Sequence, residues 1–186
     1  MVPEDTAVKY TARTLLLAVV IFSIGMPKPA GAQNPSIQGE LLKDWTDLKT
    51  TMDKIVNEMP DDKFGFKPTP AQQTFAERAM DVTQANVGLL GSLGGKAAKP
   101  TIDAKASTKA AAMKAMDDSF DYGTALIKEQ TDQTMLQAAP MAPRFLGPSS
   151  RARIVYFLIG HTWDIYGQMA VYLRLNGKVP PASQRP

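Results

Sequence analysis

Four stretches of this chain repeat apolar residues at alternating steps of three and four, and none alternates apolar with polar at every second position. The first spacing returns side chains to one face of a helix; the second is what a half-buried strand requires. The chain is therefore expected to be all-α. Leu41, Trp45, Leu48, Met52, Ile55 and Met59 form one stripe between Ser36 and Met59, which Pro60-Asp61-Asp62 ends. Thr74-x-x-Glu77 opens a second helix as a capping box, and Phe75, Ala79, Val82, Leu89 and Leu93 share its inner side. A third, alanine-rich helix from about Ser107 to Gln130 turns Ala112, Met116, Phe120 and the stretch Gly123 to Ile127 inward. The fourth starts at Ser149 or Ser150 and reaches about Leu175, with Ile154, Leu158, His161, Ile165 and Tyr172 on one stripe. Asn176-Gly177 and then Pro180-Pro181 close it. Four such helices predict an up-down four-helix bundle. Pro140, Pro143 and Pro148 mark the link between the third and fourth helices as a long crossover suited to cover one end.

The bundle is expected to occupy residues 33–186, because the first 32 read as a signal peptide. Lys9 and Arg13 precede the apolar run Leu15 to Ile24, and Ala30-Gly31-Ala32 offers small residues for a peptidase. The run is about half of the ~20 residues that span a bilayer, so no stable membrane anchor is expected after cleavage. The protein is then exported, to a periplasm or beyond. It carries no cysteine, so export brings neither disulfides nor a thiol for lipid attachment, and thiolate nucleophiles and metal ligands are excluded too. The formal charge of the whole chain is +3. Removing residues 1–32 takes away three basic and two acidic side chains, leaving the rest nearly neutral. Lys96, Lys99, Lys105 and Lys109 are scattered rather than gathered into a stripe, so no nucleic-acid partner is expected.

Three groups of residues invite a chemical reading. Gly88, Gly91, Gly94 and Gly95 before Lys96 miss the spacing of a phosphate loop and are better explained as the end of a helix. Asp117 and Asp121, one turn apart, could grip a cation, but carboxylate pairs are common on solvated faces. His161 is the only histidine, and a lone histidine on an apolar face is most simply a core residue satisfied by a neighbour or water.

Larger motifs carry a resemblance. Phe66-x-Pro68-x-Pro70, Thr74-Phe75-x-Glu77 and Phe120-Asp121-Tyr122 are followed by His161, Tyr166-Gly167-Gln168 and Tyr172-Leu173-Arg174-x-Asn176-Gly177-x-Val179-Pro180-Pro181. Together they resemble the DinB superfamily over nearly all of residues 33–186, most specifically in the last segment. The resemblance implies a four-helix bundle that holds a divalent metal with three histidines, one on the second helix and two on the fourth. The corresponding positions here are Asp81, His161 and Ile165. Histidines at i and i+4 can grip one ion together, whereas isoleucine has no lone pair to offer. Asp81 could supply an oxygen, and Asp164, one turn from His161, a third donor. The resemblance otherwise implies a His161–Asp81 pair in place of the metal.

Two functions follow as expectations. One is a bundle without a cofactor that holds a small molecule, or a second copy as a homodimer, in a cavity ringed by Trp163, Tyr166 or other aromatics of the fourth helix. The other is an enzyme of the type the resemblance implies, a metal- or thiol-dependent transferase or isomerase. It would use zinc or nickel at an altered site, or Asp81 and His161 as an acid and base pair.

Overall fold

The computed structural model describes residues 35–184; the segment read as a signal peptide lies outside the described residues. Five α-helices and no strands appear among them: α1 (Ile37–Glu58), α2 (Phe75–Leu90), α3 (Lys109–Lys128), the short α4 (Asp132–Leu136) and α5 (Arg151–Leu175). Each starts at a hydroxyl residue: Ser36, Thr74, Thr108, Thr131 and Ser150 accept a hydrogen bond from a backbone N–H of the first turn. This satisfies donors that the helix itself cannot pair. The capping box at Thr74 is complete, with Glu77 accepting from the Thr74 backbone. α1 ends where Met59 takes an extended backbone before Pro60, a residue that disfavours the helical conformation in its predecessor.

Cross-links between helices give their directions. Gln38, Trp45 and Lys49 of α1 bond to Ile127, Phe120 and Asp117 of α3, so the two run antiparallel. Tyr172 donates to Gln73 O at one end of the α2–α5 pair, and Arg151 to Leu93 O at the other, so these are antiparallel as well. Asn86 with Ser119, and Lys96 with Glu129, run in step, so α2 and α3 are parallel. The up-down bundle therefore takes the order up, down, down, up. The link between α2 and α3 must return the length of the bundle, and Gln84 of α2 ties it down by donating to Ala104 O.

Trp45, Leu48, Met52, Phe75, Phe120, Ile154, Leu158 and Met169 meet in one core, with the Trp45 and Phe120 rings 4.8 Å apart. Gly123 makes room for that contact: a Cβ there would lie 2.4 Å from the Trp45 ring. At the far end Gly94 and Gly95 take positive φ as α2 closes, which agrees with a helix terminus rather than a phosphate loop. The crossover covers this end. Its short helix α4, too brief to show a period, is held by Gln38 N–H on Asp132 and by Arg151, which reaches Leu93, Thr134 and Ala138 carbonyls. Among the described residues no helix is long and apolar enough to cross a membrane.

Candidate functional site

Asp81 sits midway along α2 and His161 midway along α5, and the antiparallel pairing of these helices brings them together. His161 Nε2 lies 4.0 Å from Asp81 Oδ1, too long for a hydrogen bond, and Nε2 is buried with no hydrogen-bond partner. The sequence reads His161 as a core residue satisfied by a neighbour or water; the structure places it at the edge of the core, with no bond from another side chain to Nε2. The side chain of His161 is a quarter exposed, because the centre of the buried stripe passes through Leu158, Thr162 and Ile165 and leaves position 161 on its flank. Phe157, one turn earlier, holds its ring parallel to the imidazole with the centroids 6.5 Å apart.

Ile165 is buried at 2% exposure, one turn along α5 from His161. Asp164 faces outward, where its carboxylate accepts a hydrogen bond from Gln168. Asp164 does not join Asp81 and His161, so the Asp81, His161, Asp164 set that the sequence allowed does not assemble. Among the described residues no three His, Cys, Asp or Glu side chains are grouped so as to hold a metal ion. A carboxylate, an imidazole and an aliphatic chain do not supply the three protein donors of a catalytic zinc site, so the residues do not fit that group.

Arg78 is the site residue that the sequence reading missed. Its NH1 stands 3.9 Å from Asp81 Oδ2, and its Nε is buried without a partner, as His161 Nε2 is. The i,i+3 spacing of opposite charges on one helix was the available signal. A guanidinium, a carboxylate and an imidazole thus follow one another across the α2–α5 seam.

Two hollows flank this seam. One, of about 500 Å³, has Asp81 in its wall together with Gln73, Glu77, Gln84, Lys105 and Ser107. The other, of about 340 Å³, lies between the crossover and α5 and is bounded by Leu146, Tyr156, Phe157 and His161. The sequence places Trp163 and Tyr166 around a cavity, and neither lines one of these. Trp163 is 46% exposed on the outer side of α5. Tyr166 is buried beneath the C-terminal segment, its hydroxyl accepting from Ala182 N–H. The aromatics of α5 beside a hollow are Tyr156 and Phe157, a turn and more earlier.

The Asp117 and Asp121 pair also resolves. Lys49 ion-pairs with Asp117 and approaches Asp53 at 3.4 Å, so a lysine already supplies the positive charge there. Burial pushes the Asp53 carboxyl above its ordinary range, and Lys49 opposes that shift.

Comparison with known proteins gives one family. The sequence model of the DinB family matches residues 26–186. No curated protein matches the sequence. Among solved structures, a DinB-like protein from Bacillus cereus ATCC 10987 superposes with a TM-score of 0.59 at 19% identity, covering 77% of this chain and 95% of its own. A DinB-like protein from Bacillus subtilis gives 0.55 at 10% identity, over 78% and 99%. At these identities the two structures speak for the fold.

Proposed function

The chain belongs to the DinB family, and from that premise we propose that it is an exported bundle that has given up the family's three-histidine metal site and binds a small polar molecule beside Asp81. One observation carries this reading. The three family positions hold Asp81, His161 and the buried Ile165, and the first two stand 4.0 Å apart with no third donor grouped around them. The hollow of about 500 Å³ lies against the same carboxylate, and its wall of amides, hydroxyls, a lysine and the Glu77 carboxylate suits a ligand that exchanges hydrogen bonds. Export rests on the charged, apolar and small-residue succession of residues 1–32.

A second reading keeps an enzyme. Two buried nitrogens to which no protein atom bonds, Arg78 Nε and His161 Nε2, flank Asp81. Buried polar atoms without a protein partner are uncommon in native proteins, and a catalytic role is one of the reasons they persist. In this reading Asp81 exchanges a proton with a substrate in the hollow it lines, and His161 stands behind it at 4.0 Å. Metal analysis tests the premise that both readings share, that these positions hold no metal. After dialysis against a mild chelator, purified protein should retain neither zinc nor nickel in stoichiometric amount. One tightly held ion per chain would return a metal-dependent activity to first place.

A further inference from the structure

α5 differs from the other long helices in having no continuous polar side. Its inner residues Ile165, Met169 and Tyr172 are buried as expected, yet the outer surface carries Trp163 at 46% exposure, Val171 at 49% and Leu175 at 59%. A helix that is apolar all round is ordinarily covered all round. Nothing among the described residues covers this side.

Trp163, Gly167, Val171 and Leu175 follow at intervals of four, the spacing of a single ridge along a helix. Gly167 is exposed, and a Cβ added to it would meet no atom within 4 Å, so the ridge has a notch open to the outside. The ridge is also symmetric about position 169. Laid antiparallel on a copy of itself, it sets Val171 into the Gly167 notch of the other helix and Leu175 against the other Trp163. The same centre pairs Asp164 with Arg174. Both are exposed, and among the described residues neither takes part in a salt bridge; Asp164 accepts only from Gln168, and Arg174 donates to Ser183. A two-fold axis brings every such contact twice, which is the self-complementarity an isologous interface demands.

We propose that this outer face of α5 is where a second copy of the chain docks, antiparallel and two-fold symmetric about the level of Met169. The glycine notch permits close approach of the two helices, the tryptophan and leucine bury apolar area at its flanks, and the paired charges set the register. Neither charge belongs to the Asp81–His161 seam, so the inference stands or falls apart from the proposed ligand site.

Sedimentation equilibrium on the purified protein over roughly 1–100 μM tests it. The wild type should be a dimer. Asp164→Arg and Arg174→Asp should each weaken association by about tenfold or more, since each puts like charges together twice. The double swap, Asp164→Arg with Arg174→Asp, should restore it. All three variants change exposed side chains, and circular dichroism should show unchanged helix. A wild type that is monomeric throughout the range overturns the proposal. So does a dimer indifferent to the single reversals, which would use another face, or one that the double swap leaves broken. Binding of the monomer to lipid vesicles through the same residues would count against it too, as a membrane face.

Discussion

Thr74 and Glu77 show how much one side chain can decide. The hydroxyl accepts from Glu77 N–H, while the carboxylate accepts from Thr74 N–H at 2.6 Å. The backbone hydrogen bond, then the hydroxyl, hold the Glu77 carboxyl below the usual range. A carboxyl whose folded pKa is depressed stabilises the fold fully above its unfolded value of ~4.3 and loses that contribution as pH falls through the lower, folded value. Thr74→Ala should therefore cost about 1 kcal/mol at neutral pH by denaturant titration, and the difference between variant and wild type should shrink in acid. Gly123 decides in the opposite sense. A methyl at that position would meet the Trp45 ring within 2.4 to 2.8 Å, with the indole fixed by its bond to Phe120 O. Gly123→Ala should destabilise by roughly 1–3 kcal/mol, the range for overpacking, although alanine is the better helix former. A stabilised variant would show that the core yields there more easily than described.

At the scale of the element, what the sequence announced and what it hid divide along a physical line. Helix starts were legible because a cap is a local event: Ser36, Thr74 and Ser150 stand at the expected junctions. The four long stripes were legible because a period needs only length. α4 was not, since five residues cannot show one. The side on which Trp163 falls was hidden for another reason. Apolar residues on all faces of α5 leave periodicity with no polar side to point away from the core. The hydrogen bonds of Arg151 were equally out of reach, because its three acceptors come from two stretches distant in sequence from each other. It ties the end of α2 and the crossover to the start of α5 through Leu93, Thr134 and Ala138 carbonyls. Arg151→Ala should cost about 1.5–3 kcal/mol, the usual size for losing hydrogen bonds to a charged group. Hydrogen exchange should quicken first in residues 131–150, ahead of α1 and α3. Uniform quickening across the bundle would mean that the crossover is held by something else.

For the whole molecule, the bundle places two residues 80 positions apart within 4.0 Å, and this is what gives the site its meaning. That Asp81 and His161 correspond to metal positions was an inference from family motifs; that they face each other across α2 and α5 follows from helix direction, which periodicity alone does not contain. The missing third donor was readable, since Ile165 stands in the sequence for all to see. The approach of Arg78 to Asp81, and the lack of a protein partner for His161 Nε2, needed the fold. Calorimetric titration with zinc bears most directly on the central claim, that a metal site has been lost at these three positions. Wild-type protein should bind weakly or not at all, whereas Asp81→His combined with Ile165→His should complete a three-histidine set with His161 and raise affinity by several orders of magnitude. A folded double variant that binds no more zinc than the wild type would contradict the assignment of all three positions.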